Sequence, residues 1–505
     1  MNAHQSVVPV LIVLAPLLTS FMLPVLGWWY RPAVFPLVLT TLAVSCGAAI
    51  VVAQDVVMNG PVHYYMGGWA PPWGIEFRVD VLSALMLLFL TIITLLVGIY
   101  SKQSILKEMM PSKEVPFYTV YLLLVAGLAG QVATADMFNL YVFLEITSLA
   151  SYALVSIGGG AAVVSAFRYV ILGTVGAAFY LLAVGYLYSV TGSLNMADLS
   201  RILPDLYEST TVLVGFAFFV IGISIKMALF PMHTWLPGAY SNAPSAVSAL
   251  IAATTTKVAA YVLVRVMFFV FEPRFSIEMI PVTTLLGWIG AAAMILGSVM
   301  AIAQSDFKRL LAYSSVAQIG YIVLGIGLAN TAGFTGSILH LVNHAFMKGG
   351  LFLVAGAIVY RTGLREIREF RNLSRKMPVT AATFTICAFA MIGIPPTGGF
   401  FSKFYLILGA IDAGNWVFVG VIVLSSVLAL AYLANVLRYI YFPNDDATGG
   451  GGRQSVPEAT QRDEVPWTML GPMLAVTAII VLLGIFNGEV VDRFIEAAMP
   501  VGLAR

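Results

Sequence analysis

Apolar residues run along this chain in blocks of roughly 20, cut by Gly, Pro and charge, with neither the alternation of a half-buried strand nor the narrow stripe of a surface helix. A helix of that length rises about 30 Å, the thickness of the hydrocarbon core of a bilayer. The blocks fall near 7–27, 33–53, 82–100, 116–134, 137–157, 165–190, 212–232, 245–268, 281–303, 310–329, 333–360, 378–411, 416–438 and 467–487. The pattern predicts an all-α polytopic membrane protein of about fourteen transmembrane helices.

Two of these spans carry internal breaks. The seventh reaches FPMHTWLPGAYSNAP, where Pro231, Pro237 and Pro244 interrupt the hydrogen-bond ladder, and the twelfth holds GIPPTGGF, with Pro395, Pro396, Gly398 and Gly399. Interrupted spans in comparable positions imply two inverted five-helix repeats with discontinuous helices 7 and 12, and place transport sites at the breaks. The chain is then expected to divide into N-terminal helices 1–3 (1–115), a first repeat of helices 4–8 (116–270) and a second of helices 9–13 (271–441). A flexible cytoplasmic linker (442–466) and a C-terminal helix (467–505) complete it.

Loop charge sets the orientation. One set of alternate loops carries Arg31, Lys102, Lys107, Lys113, Arg168, Lys308, Arg309 and the run from Arg361 to Lys376, and is expected to be cytoplasmic. The other set is poor in Lys and Arg and carries Asp55, Glu76, Asp80, Asp136, Asp198, Asp205, Glu208, Glu272 and Glu278, which puts both termini outside. The N-terminus has no basic region and no small-residue cleavage site before its first span, so that span is expected to be retained.

Composition agrees: 60% hydrophobic and 10% charged residues, at a mean hydropathy of +0.93, exclude a soluble globule. The net charge of +2 sums two opposite faces and decides nothing. Cys46 and Cys387 lie inside apolar spans, far apart, and read as buried thiols. No Walker loop, Rossmann fingerprint or iron–sulfur cysteine set is present, and the GGGG at 449–452 lacks the strand and the GK[ST] of a phosphate cradle. No cofactor, no metal and no nucleic acid is therefore expected.

Against this apolar background, once loops and helix ends are set aside, five charged residues remain near the middle of spans: Glu145, Lys226, Lys257, Lys348 and Lys403, joined by His340 and His344. An ionisable group at membrane depth costs at least ~2.5–3.5 kcal/mol, so such a set marks function unless the long lysine stems snorkel to the headgroups. HLVNHAFMK places His340, His344 and Lys348 at i, i+4 and i+8, one helical stripe of proton acceptors. HxxxH is also a metal-ligand spacing, but no Glu follows the first His and no Cys or carboxylate is near in sequence. Glu145 reads as the only buried acid, with Lys226, just before the first break, as its natural partner, either as a static fastening or as a switch. His233 lies at the Pro231 break, facing a cavity or capping freed carbonyls; Asp136, Gln318 and Ser314 are accessory polar candidates. His4 and His63 are read as loop residues without weight.

The stretches FPMHTWLPGAYSNAPSAVSALIAATTTKVAAY, LLAYSSVAQIGYIVLG, HLVNHAFMKGGLFL and GIPPTGGFFSKFY resemble the signatures of the antiporter-like subunits of respiratory complex I, membrane-bound hydrogenases and Mrp-type multisubunit antiporters. HYYMGGWAPPWGIEFRVD and FNLYVFLEI are most similar to the D-type branch of the Mrp sodium/proton antiporter subunits. The resemblance implies a coupled pair in Glu145 and Lys226, a central Lys257, a relay through His340, His344 and Lys348, and a terminal Lys403. It also implies partner membrane subunits, protons exchanged for sodium or another monovalent cation, and a prokaryotic plasma membrane. Two departures from complex I relatives stand out: Gly238 where many have Asp, and Gln318, which cannot relay a proton by ionising, where His is common. The alternative reading is a redox-driven proton-pumping subunit of complex I or a hydrogenase.

The loop charges predict that a tag inserted in the 442–466 linker is reachable only from the cytoplasm and one at residue 505 only from outside. Both tags responding on one side in a protease-protection assay would show that the span count is off by one near the C-terminus.

Overall fold

The computed structural model describes residues 4–442 and 462–503. Twelve helices among them are long and apolar enough to cross a membrane, and two shorter apolar helices, Thr210–Lys226 and Pro378–Ile392, stand where breaks were expected in spans seven and twelve. Each short helix has a continuation on the far side of its break. Thr210–Lys226 is followed by irregular backbone and then Leu236–Asn242, and Pro378–Ile392 by Gly398–Asp412. The backbone at the breaks passes through the left-handed region, at Gly393 (φ 95°) in one and at Ala228 (φ 58°), whose Cβ is under steric strain there, in the other.

A third break was not foreseen. The expected eighth span is a helix Ser245–Ala253 that stops at Thr254, whose φ/ψ of −121°/−60° leave the helical region, and restarts as Thr255–Arg265 with a wider turn over Val266–Val270. No Pro or Gly marks the site. Thr254, Thr255 and Thr256 are all buried, and the Thr254 and Thr255 hydroxyls bond back to the carbonyls of Leu250 and Ile251 at 2.7 and 2.9 Å, the pattern by which Ser and Thr bend buried helices.

The two faces of the bundle differ. At one, an antiparallel hairpin pairs Val62–Tyr65 with Glu76–Val79, a small exception to the expected all-α fold. The backbone of residues 4–6 bonds to His63, Phe77 bridges to Thr134, and Val501 and Gly502 lie with Ser200 and Glu272 around one cavity of 650 Å³, so both described ends of the chain lie at this hairpin face. The opposite, basic face carries Arg31, Lys113, Arg361 and Arg365, with the Arg31–Glu114, Arg365–Asp306 and Arg361–Asp463 pairs. Of the linker, residues 442 and 462–466 are described, with Glu464 capping Pro378–Ile392 through the Val379 and Thr380 amides; residues 443–461, including the glycine run, lie outside the described residues. Trp28, Trp29 and Trp467 are exposed towards the basic face and Trp69, Trp73 and Trp416 towards the hairpin face, as in the aromatic belts of membrane proteins.

Small residues set how closely the helices approach. Val282–Ile302 and Phe307–Leu328 pack glycine to glycine, so that a Cβ on Gly290 would stand 2.8 Å from the Gly320 carbonyl, and one on Gly320 2.6 Å from the Gly290 carbonyl. Backbone cannot yield as a flexible side chain does. Gly320→Val is therefore expected to cost at least about 1–3 kcal/mol through overpacking, seen as a lower Tm and yield of the assembled protein; an unchanged Tm would mean that this helix pair is free to move apart.

Candidate functional site

Between the two faces, the expected ionisable residues cluster at the breaks, and the backbone explains why. In a regular helix every interior carbonyl is taken by an N–H four residues on; a break frees carbonyls that must find another donor in a medium without water. Lysine amines supply it. Lys257, 1% exposed, lies three residues past the Thr254 break and its Nζ donates to the Ala252 carbonyl at 2.5 Å and to Thr256 Oγ1 at 3.3 Å. Lys403 reaches across the second repeat's break to the last carbonyls of the half-helix, Met391 and Ile392, both at 2.9 Å, and to Ser426 Oγ at 3.1 Å. Those carbonyls form the negative end of a helix dipole, favourable for a cation.

Lys226 is the last residue of its half-helix, just before the first break. Its Nζ donates to Ser148 Oγ at 2.7 Å and stands 3.8 Å from Glu145 Oε1. Ser148 lies three residues after Glu145 on Met137–Ser156, so one helix offers both partners to the same amine. The pair is looser than expected: Glu145 Oε1 has no hydrogen-bond partner and the Glu145 side chain is 29% exposed on the flank of the bundle. Nor is Glu145 the only buried acid. Glu76 is 4% exposed and Asp136 is also buried, both at the hairpin face, where tertiary packing encloses loop residues that hydropathy alone leaves in solvent.

On Thr331–Thr362 the stripe of His340, His344 and Lys348 is fully buried, but the three residues do not bond to one another. Lys348 Nζ donates to the Leu311 carbonyl at 2.8 Å and to Ser314 Oγ at 2.5 Å, which gives the accessory residue Ser314 a place. The His340 and His344 rings stack at 6.0 Å. His340 Nε2 lies 3.0 Å from Gln318 Oε1 and Nδ1 lies 2.9 Å from Ser402 Oγ; since the amide oxygen only accepts, Nε2 carries the proton. Gln318 thus orients His340. Both nitrogens of His344 lack any protein partner, so it is the group of the stripe left to bond with water. Beyond His340, the Tyr321 ring lies between its imidazole (5.2 Å) and the Lys403 amine (4.7 Å), linking stripe and second break.

Two accessory candidates do not join this cluster. His233 is buried in the first break between the rings of Phe230 and Tyr313, at 5.4 and 6.5 Å, with Nδ1 unpartnered. Asp136 caps Met137–Ser156 at the hairpin face by accepting from the Asn139 amide at 2.6 Å, and burial pushes its carboxyl up. His63, set aside as a loop residue, holds Glu76 Oε1 at 2.6 Å, while Asn195 donates to Oε2 at 3.0 Å. Burial opposes ionisation of Glu76, but these bonds and the charges of His63 and Arg78 outweigh it and keep the carboxyl below its usual range.

Sequence reasoning missed two cations. Lys308, placed in a loop, is buried, with Nζ 2.9 Å from Ser245 Oγ, which in turn donates to Glu108 at 3.2 Å. A signal was available, because a lysine in the first turn of a helix opposes the dipole and needs another partner. Arg265 continues the spacing of Lys257 and Tyr261 by one more turn and pairs with Asp80 on a different helix; proximity to the estimated span end concealed it. Among the described residues no group of three or more His, Cys, Asp or Glu could hold a metal ion.

Residues 134–429 match the family model described as "NADH:quinone oxidoreductase/Mrp antiporter, TM". The chain is 45% identical over 503 residues to the N subunit of the NADH-quinone oxidoreductase of Desulforudis audaxviator, covering 99% of each chain. It is 31% identical over 449 residues to the D-type subunit of the Na(+)/H(+) antiporter of Alkalihalophilus pseudofirmus, covering 88% of this chain and 87% of that one. Its structure is similar to a chain of the Mrp complex from a Dietzia species (TM-score 0.87, 26% identity, 97% and 96% covered). A chain of an archaeal membrane-bound sulfane sulfur reductase is similar at TM-score 0.88 and 28% identity, with 97% of each covered.

Proposed function

Because this chain belongs to the NADH:quinone oxidoreductase/Mrp antiporter family of membrane subunits, we propose that it is the proton-translocating subunit of a multisubunit monovalent cation (sodium)/proton antiporter. The observation that carries the reading is the row of amines at Lys226, Lys257, Lys348 and Lys403, the last three buried and the first on a side chain 8% exposed; among the described residues only Lys226 has a carboxylate within 4 Å. Ammonium groups held by carbonyls and hydroxyls alone are poor structural fastenings, because no counter-charge offsets their desolvation, whereas a neutral amine that gains and loses a proton fits the same sites. The hairpin face is taken as outside and the basic face as cytoplasmic. In each proposed repeat (116–270 and 271–441), at least one lysine serves the break.

In this reading a proton enters near Glu145 and Lys226, passes to Lys257 and then through His344, His340 and Lys348 towards Lys403. Glu145 with one unpaired oxygen at the flank, and Lys403 beside a 320 Å³ groove lined by Phe404, Val423 and Leu430, suit a chain flanked by further membrane subunits. The relative named as a quinone oxidoreductase subunit supports a second reading, a redox-driven pumping subunit with the same relay. Neighbouring genes separate the two readings: hydrogenase or quinone-reductase subunits favour the pump, small Mrp-like membrane subunits the antiporter.

Lys257→Ala is expected to abolish proton-coupled transport by the reconstituted complex with subunit content unchanged, and Lys257→Arg likewise, since a guanidinium does not release its proton at usable pH. Wild-type fluorescence quenching in either variant would sink the relay. For the first step, Glu145→Gln and the double variant Glu145→Gln/Lys226→Gln are both expected to assemble and neither to transport. A static pair predicts instead that the single variant loses about 3–5 kcal/mol of stability and that the double variant restores stability and transport together.

A further inference from the structure

Lys257, Tyr261 and Arg265 follow one another at one-turn spacing along Thr255–Arg265, so the stripe that starts at the central amine climbs about 12 Å towards the hairpin face. Its upper members are joined. Tyr261, 2% exposed, has its hydroxyl 3.0 Å from Ser83 Oγ and 3.1 Å from the Val132 carbonyl, and Arg265 Nε donates to the same hydroxyl at 3.0 Å. Arg265 then closes on Asp80 with two parallel bonds of 2.5 and 2.7 Å and on Ser83 with a third of 2.9 Å. The same Asp80, Tyr261 and Arg265 line a cavity of 190 Å³ together with Arg78, Thr134 and Ser200, with room for several waters. The groove beside Lys403, in contrast, is lined mainly by Phe, Ile, Val and Leu, with Ser426 the one hydroxyl in its lining.

We propose that this cavity is the outward mouth of the proton pathway at the level of Lys257, and that the Asp80–Arg265 pair with Tyr261 is the gate that closes it. This rests on the reading of Lys257 as a proton carrier, and goes beyond it by assigning the carrier an outer exchange route that bypasses Lys403. Arg265 and Asp80 are positioning residues: paired, they hold Arg265 Nε on the Tyr261 hydroxyl at the wall of the cavity that Tyr261 itself lines; parted, they free that hydroxyl to bond cavity water on the side towards the central amine. Bidentate geometry makes the closed state well defined, and water at its outer edge lowers the cost of parting two charges compared with a pair sealed in the core. The proton itself moves by exchange along hydroxyl and water: one O–H bond breaks as the next forms, and Lys257 ends with one proton more or fewer.

The test uses the whole complex reconstituted in vesicles. Asp80→Asn/Arg265→Gln removes the closure without leaving a lone charge and is expected to raise the passive proton leak several-fold with no exchangeable cation present; adding Lys257→Ala should return it to baseline. Tyr261→Phe deletes one hydroxyl from an otherwise unchanged ring and is expected to slow coupled transport several-fold at unchanged subunit content. A double variant that stays proton-tight, a leak that persists without Lys257, or wild-type rates in Tyr261→Phe would each overturn the gate. Should the double variant fail to assemble, Tyr261→Phe decides alone. Wild-type transport by Lys257→Ala alone would instead remove the carrier reading beneath it, so the two failures are told apart.

Discussion

The site depends on one constraint: inside a bilayer, a carbonyl released by a broken helix has no water to turn to, and in this chain lysine amines take water's place. The Ala252 carbonyl at the Thr254 kink and the Met391 and Ile392 carbonyls at the second repeat's break each accept from a lysine. The dependence runs both ways. Without the amines the breaks would leave orphan acceptors, and without the breaks the amines would be isolated charges at membrane depth. A group held by carbonyl dipoles tolerates both its charged and its neutral state better than one locked to a carboxylate, because a departing proton leaves no bare anion behind.

Hydroxyls complete the arrangement. Ser148, Thr256, Ser314 and Ser426 each sit within hydrogen-bond distance of a lysine Nζ, and Ser402 of His340. A hydroxyl rotates between donor and acceptor, so it can accept from an ammonium and also donate to the lone pair of a neutral amine, whereas an amide oxygen such as Gln318 Oε1 can only accept. Gln318 is thus a fixed acceptor that sets one tautomer of His340, while both nitrogens of His344 are without a partner among the described residues.

The scaffold around this row is stiff where it meets itself and open where other subunits would meet it. Glycines let Val282–Ile302 and Phe307–Leu328 approach to backbone contact, and the helices that carry the relay are enclosed. Glu145 and Lys403 lie at opposite ends of the row, one partly exposed on the flank, the other bordering a groove of exposed apolar side chains. Ionisable groups cannot remain against lipid at low cost, which agrees with relatives that come from multisubunit membrane complexes.

The sequence by itself determined the membrane-spanning class, the approximate positions of the spans, the breaks at Pro231 and Pro395–Pro396, and the inventory of Lys257, His340, His344, Lys348 and Lys403, because these signals are local: hydropathy, helix-breaking residues, and charge out of place in an apolar run. Tertiary structure alone decided what each group touches. It opened a kink at Thr254, where threonine hydroxyls compete for backbone carbonyls without any Pro or Gly to announce it. It left Glu145 partly in the open while enclosing Glu76 and Asp136, since loop packing is invisible to a hydropathy scan. It brought Arg265 to Asp80 across 185 residues of sequence, a pairing that no spacing rule can see because long-range contact depends on how helices lie against one another and not on the residues between them.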